Sequence, residues 1–163
     1  MKNKYFLALI ISGAVIILDQ ITKFLVDINM ALHQSIEIIP NFFHLTYIRN
    51  TGAAFGFLAG GRSSGRIIFF ALFSILAIGC LIYLLKTIRP GQKTAILSLS
   101  LILGGAIGNL IDRLRQGEVV DFLDFHWYDW HWPAFNMADS AITIGVILLF
   151  YQMMRQKTIS IAL

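Results

Sequence analysis

Two aspartates, Asp121 and Asp139, close the one stretch of this chain where chemistry-bearing side chains gather. That stretch, Gly108 to Ser140, reads GNLIDRLRQGEVVDFLDFHWYDWHWPAFNMADS and holds six of the nine acidic residues, all three tryptophans and two of the four histidines. Asp139 follows Asn136-Met137-Ala138, which fits a helix N-cap with an acid at the third helical position. The positive end of a helix favours an ionised carboxylate there, although a purely structural cap would use the same residues. Asp121 lies in Glu118-Val119-Val120-Asp121-Phe122-Leu123-Asp124-Phe125, a strand-like run. Alternation puts Asp121 and Asp124 on opposite faces, so at most one of them faces Asp139 without a bulge. Flanked by valine and phenylalanine, Asp121 is the candidate for a partly desolvated acid with a raised pKa. Asp124 and Asp129 are expected in solvent. Two carboxylates a few ångströms apart cannot both ionise, so such a pair shares one proton. The ionised member can take a proton from water while the other donates to a carbonyl oxygen. That is peptide hydrolysis without a metal or a covalent intermediate. The pair titrates as a unit, and only the helix-cap argument assigns the base to Asp139 and the acid to Asp121.

Other polar residues fall on the same side of the chain's apolar runs. Asp19 lies about 21 Å along the first run at 1.5 Å per residue, past the midplane of a bilayer. Lys23 follows at i+4, in the favourable acid-then-base order, so an intrahelical ion pair competes with a supporting role at a site. Asn109, Asp112 and Arg113 share one helix face; Asp112 and Arg113 could mark a membrane exit, and the deeper Asn109 needs a polar partner. His126 and His131, beside Asp124 and Asp129, invite a zinc reading. No H-E-x-x-H spacing occurs and tryptophans crowd them, so no metal ligand is assigned. Trp127, Trp130 and Trp132 read as interfacial anchors.

The elements that must position these groups are membrane spans. Of 163 residues, 57% are hydrophobic and 13% charged, and the mean hydropathy is +0.73. Such a chain has too little polar surface for a soluble globule. One domain, 1–163, is expected, with spans at about 5–26, 67–85, 94–111 and 137–154. A β-rich loop fills about 27–66, where Ser35–Ile38 and Phe43–Tyr47 alternate around Pro40-Asn41, and the catalytic loop fills about 112–136. Gly60 to Gly65 reads as a flexible turn. Cys80, the single cysteine, rules out an internal disulfide and is expected to be a buried small hydrophobe. The N-terminal run imitates a signal peptide, but its length, Asp19 and Lys23 argue against cleavage. Lys2, Lys4, Lys86, Arg89, Lys93, Arg155 and Lys157 fall on one side, in short segments free of acids. The positive-inside rule makes that side cytoplasmic, with both termini on it. The net charge of +4 comes from scattered residues with no basic stripe, so nucleic acid is not an expected partner.

With these residues in hand the sequence resembles the lipoprotein signal peptidases (signal peptidase II). The likeness runs through Asp19-Gln20-x-x-Lys23, Arg49-Asn50-Thr51-Gly52-Ala53-Ala54-Phe55-Gly56, Gly108-Asn109-Leu110-Ile111-Asp112-Arg113, Val119-Val120-Asp121-Phe122 and Phe135-Asn136-Met137-Ala138-Asp139-Ser140. Each motif alone is weak, but all of them in order across nearly the whole chain are specific. The resemblance implies an aspartic endopeptidase of the bacterial cytoplasmic membrane, mainly α, with four transmembrane helices and a small extracytoplasmic β-cradle. Its substrate would be a diacylglyceryl-modified prolipoprotein, cut just before the lipidated cysteine on the extracytoplasmic side. The catalytic pair carries over onto Asp121 and Asp139. Asp19, Asn50, Asn109, Arg113 and Asn136 match polar positions around it, Lys23 completes the first motif, and Gly52 to Gly56 falls in the cradle that covers substrate. The resemblance further implies membrane lipids and globomycin-type inhibitors as partners, no cofactor, and a monomer. No family pattern matches Asp124 to Trp132. A proton-coupled transporter would want acids spread through the midplane, and a non-catalytic scaffold would leave the aspartate pair without a purpose.

Overall fold

Helix α3, Lys93–Gln116, is the element the others pack on. We describe the chain from a computed structural model covering residues 2–52 and 64–161. Before α3 come α1 (Lys2–Asn29), β1 (Ser35–Ile39), β2 (Phe43–Asn50) and α2 (Ser64–Thr87); after it come β3 (Val119–Trp127), β4 (Trp130–His131) and α4 (Met137–Ile161). The 4 helices are long and apolar enough to cross a membrane. Each contains one of the apolar runs read from the sequence and extends past it, because helices continue beyond the hydrocarbon where their ends find polar partners. Ala53 to Gly56 and the turn from Gly60 lie largely outside the described residues.

Glycines let α3 approach its neighbours. A Cβ on Gly104 would come within 2.8 Å of Val15 and 2.9 Å of the Ser12 carbonyl on α1, and one on Gly108 within 2.6 Å of the Asp19 carboxylate. On the α4 side a Cβ on Gly105 would strike the Ala138 carbonyl, and Gly145 of α4 sits equally close to Ser98 and Ile102 of α3. Such small-residue contacts let helices pack where no hydrophobic force between them operates. The helix ends at Gly117 in the left-handed conformation (φ 76°), whose N–H returns to the Arg113 carbonyl at 3.0 Å.

The strands form one antiparallel ribbon in the order β1-β2-β3-β4. His44 stands opposite Asp124, Ile48 opposite Asp121 and Asn50 opposite Val119, with an irregularity between Leu45 and Ile48. A bridge between Leu123 and Phe135 ties the segment entering α4 to β3. Apolar clusters sit at both ends of the bundle: Val26, Met30, Tyr47, Val120 and Phe122 where the sheet meets the helices, and Ala8, Leu85, Ile96 and Leu99 at the other. At that second end the buried Lys4 ammonium caps α2, donating to the Lys86 and Ile88 carbonyls at 2.9 and 2.7 Å. The start of α1 and the end of α2 therefore lie together, as an alternating up-and-down bundle requires.

One expectation fails here. Cys80 is exposed rather than buried. It lies on α2, where Ile68, Phe69, Leu72, Phe73, Leu76 and Tyr83 are also more than half exposed. An apolar surface of that extent on a span-length helix belongs against lipid, so the small hydrophobe needs no protein around it.

Candidate functional site

Asp121 and Asp139 meet the same residue, Asn136. Its side-chain amide donates to Asp121 Oδ1 at 2.7 Å and to the Val120 carbonyl at 3.2 Å. Its side-chain oxygen accepts the Asp139 N–H at 3.0 Å, and its own N–H reaches back to Asp139 Oδ2 at 3.3 Å. The last two bonds are a reciprocal capping box, so the local rule that starts α4 also fixes Asp139. Asn136 is fully buried. Asn50, at the end of β2, donates to the other oxygen of Asp121 at 2.9 Å and accepts the Gly52 N–H at 2.8 Å. Gly52 turns with φ +86°, and a Cβ there would lie within 2.5 Å of the Phe70 ring. Burial pushes Asp121 up to about 6; the nearby charge of Asp139 pushes the same way, while the amides of Asn50 and Asn136 and the charge of Lys23 pull down.

A second set of groups lies beneath the pair. The Lys23 ammonium is 2.8 Å from Asp19, 2.8 Å from Asp112 and 2.9 Å from Asn109 Oδ1. Those bonds saturate its donors. Asp19 also accepts the Ala138 N–H at 2.9 Å, next to Asp139 at the start of α4. Gln20 spans Asp19 and Asp112, at 3.2 and 2.8 Å. All of Asp19, Lys23 and Asp112 are buried, and an ion cluster of this kind persists only when every charge is paired.

The cluster has a directional consequence. Lysine offers only donors, so the face of Asn109 toward Lys23 must be its oxygen, which also accepts the Asn136 amide at 3.3 Å. The Asn109 amide nitrogen then points to Asp139 Oδ1 at 2.8 Å. Asp139 thus accepts from Asn109 at one oxygen and from the Asn136 backbone at the other. Arg113, one turn further on α3, donates to the Asn109 carbonyl at 3.3 Å and sits 5.8 Å over the Phe70 ring. Its charge faces Asp139, Asp112 and Asp121, Asp139 most strongly.

The structure thus gathers Asp19, Lys23, Asn50, Asn109, Asp121, Asn136 and Asp139 into one hydrogen-bonded network, with Gly52 and Arg113 at its edge. Asp112 departs from the sequence reading: it is a buried partner of Lys23, not a membrane-exit marker. Gln20 carried no assigned role and Asp112 only that of a membrane-exit marker, because each has partners on another helix, although both stand inside the quoted motifs. Asp124 is a second departure. Expected in solvent, it is buried, because β4 folds back over it and His131 Nδ1 contacts both its oxygens at 2.9 and 3.0 Å. Asp129 is exposed, as are Trp127, Trp130 and Trp132.

The strands are clasped to the helices by a further network. Arg49 of β2 pairs with Asp27 of α1 at 2.6 Å, donates to the Tyr47 hydroxyl at 2.7 Å and binds Gln116 of α3, while Tyr47 also bonds Asp27. Beside Asp139, a groove of about 630 Å³ is lined mostly by apolar groups of Trp132, Pro133, Phe135 and Ile144.

Comparison with known proteins bears on what such a network does. The model of a family described as signal peptidase (SPase) II matches residues 9–155. A lipoprotein signal peptidase of Syntrophus aciditrophicus (strain SB) is 47% identical over 157 residues, covering 96% of this chain and 98% of that protein. One from Geobacter sulfurreducens is 51% identical over 142 residues, covering 87% of this chain and 88% of that protein. Among solved structures, a bacterial membrane enzyme determined by the in meso method at 2.3 Å resolution superposes with a TM-score of 0.81 at 38% identity, over 92% of this chain and 88% of that one.

Proposed function

The chain belongs to the signal peptidase II family, a family of bacterial membrane proteases, and we propose that it is an aspartic endopeptidase using Asp121 and Asp139. Its substrate is a prolipoprotein carrying diacylglycerol on a cysteine, and the bond cut is the one just before that cysteine. The observation that carries this reading is the buried Asn136, whose side-chain amide donates to the Asp121 carboxylate and whose backbone N–H donates to the Asp139 carboxylate, while burial lifts Asp121 to about 6.

In this reading Asp139 is the base. Asn109 and the start of α4 hold its oxygens in place, and it takes a proton from the attacking water. Asp121, holding its proton to higher pH, donates to the scissile carbonyl oxygen as the tetrahedral intermediate forms. Asp139 then passes its proton to the leaving amine while Asp121 takes one back from a hydroxyl of the tetrahedral intermediate as the C–N bond breaks, so the pair ends with one shared proton, as it began. Asn50, Asn109, Asn136 and the Asp19–Lys23–Asp112 cluster hold the carboxylates in place. The groove beside Asp139 takes apolar chain, either of the signal peptide or of the diacylglyceryl group. Lipid and globomycin-type inhibitors compete for the same apolar surface. The site faces the extracytoplasmic side, with both termini in the cytoplasm, and one chain suffices for activity.

The test is mass spectrometry of the products from a synthetic prolipoprotein peptide, with and without its diacylglyceryl group, in the presence of a chelator. Cleavage of the lipidated peptide alone, just before its cysteine and undiminished by chelator, is the expected result. Equal cleavage of the unmodified peptide, or loss of activity with chelator, would contradict the proposal.

A further inference from the structure

Away from the aspartate pair, the two hairpins of the ribbon end side by side. The Tyr128 N–H donates to the Asn41 carbonyl at 3.3 Å and the His126 N–H to the Phe42 carbonyl at 2.9 Å, so the β1–β2 turn is stitched to the end of the β3–β4 hairpin. What these turns leave exposed is apolar. Trp127, Tyr128 and Trp130 are 68, 62 and 64% exposed, and Ile38, Ile39 and Phe42 of the first hairpin are exposed as well. Trp127 and Tyr128 meet edge to face at 5.7 Å, as Phe42 and Phe125 do at 5.5 Å. Apolar surface gathered in this way marks a contact. Two observations say with what. The first is position. Trp132, at the base of the β3–β4 hairpin, lines the same groove as Thr143 and Ile144 of α4. The apolar stretch of α4 begins at Met137, and Ile144 lies about 10 Å into it at 1.5 Å per residue. The hairpin base therefore runs beside the first two turns of the span, not above them. Apolar surface continues from the exposed Ile144 through Trp132 to Trp130, whose ring meets that of Trp132 edge to face at 6.1 Å. The second is charge. No lysine or arginine occurs from residue 28 to 48 or from 117 to 154, so the rim carries no base to draw it to an anionic surface.

We propose that this rim docks the sheet onto the bilayer, with Phe42, Trp127, Tyr128 and Trp130 seated in the headgroup layer of the leaflet on the side of the aspartate pair. Tryptophan and tyrosine suit that layer because the ring leaves water while the N–H or O–H keeps a polar partner. Aromatic partitioning drives the contact, so anionic lipid is not required. The sequence reading took the three tryptophans as separate anchors. The pairing of the two turns, which brings the first hairpin into the same contact, was not visible there. The sheet is then held at two places. The Arg49 clasp fixes it to the helices where Arg49 stands opposite Val120, and lipid holds it at Trp127, with β3 running from one to the other. The inference rests on the membrane spans and not on the aspartate assignment.

All 3 tryptophans of the chain belong to this hairpin, so the native fluorescence of the full chain reports on it alone. The protein is placed in phosphatidylcholine nanodiscs containing lipids with a nitroxide at the headgroup, high on the acyl chain or near its end, and iodide probes from the water. Quenching by the headgroup and upper labels should exceed that by the end label about twofold, with iodide weak. The pattern should be the same in phosphatidylglycerol and at high salt. Trp132→Phe should preserve it, because Trp127 and Trp130 carry it. A fluorophore on Phe42→Cys, in a Cys80→Ser background, should show the same depth dependence. Strong iodide quenching without a response to the lipid labels would overturn the proposal and favour a protein partner or a second copy on this rim. Loss of the lipid response in Trp132→Phe would overturn it by confining the contact to the groove. A Phe42 label quenched by iodide alone, or a response confined to phosphatidylglycerol, would also contradict it.

Discussion

At the scale of residues, the network owes its direction to the side chain that can only donate. Lys23 turns the Asn109 oxygen toward itself and so aims the amide nitrogen at Asp139. Asn109→Asp removes that donor and sets a carboxylate beside Asp139. It should lower kcat by at least a hundredfold with the fold retained; near-wild-type kcat would contradict the role given to this amide. Asp121 provides a second test, through stability. It holds its proton up to about 6 when folded, against 3.8 for an unperturbed aspartate. Between those values the folded chain keeps a proton that the unfolded chain has lost. Stability therefore falls as pH rises through that window and levels above it, by on the order of 3 kcal/mol at most. The amide introduced by Asp121→Asn does not titrate, so the Tm of that variant minus the Tm of wild type should climb from pH 4 to pH 6.5 and then flatten. A flat difference would show that Asp121 is not the perturbed acid. Asp121 and Asp139 were readable as candidates because apolar flanks and a capping box are local patterns. Asp112, Gln20 and the buried state of Asp124 were not, since each depends on a partner from another element.

At the scale of elements, glycines on α3 set how close α1 and α4 can come, and so where Asp19 and Asp139 sit. Gly108→Ala places a methyl 2.6 Å from the Asp19 carboxylate, which is locked to Lys23 and cannot move freely. It should destabilise the protein by about 1–3 kcal/mol, the usual cost of overpacking. Gly105→Ala presses on the Ala138 carbonyl at the first turn of α4, displacing Asp139. Its loss should appear in kcat more than in Tm; the reverse pattern would mean that the crossing is only structural. Span lengths and the alternation of Ser35–Ile38, Phe43–Tyr47 and Glu118–Phe125 were legible because each is a short-range pattern. The clasp of Arg49 with Asp27, Tyr47 and Gln116 was not, because it joins β2 to two helices.

At the scale of the whole molecule, the polar network sits at the sheet end of the bundle and the Lys4 cap at the other. With the positive-inside orientation, the first end faces outward. In a Cys80→Ser background, a cysteine replacing Glu37 in β1 should react with a membrane-impermeant maleimide in intact cells. One replacing Arg89, after α2, should react only after lysis. The opposite pattern would invert the proposed topology.

The aspartate pair itself is tested most directly by single-turnover cleavage of a diacylglyceryl-prolipoprotein peptide by wild type, Asp121→Asn and Asp139→Asn, each checked for a native melting transition. Both variants should remain folded and lose cleavage by several orders of magnitude. Near-full activity in either folded variant would contradict the two-aspartate mechanism.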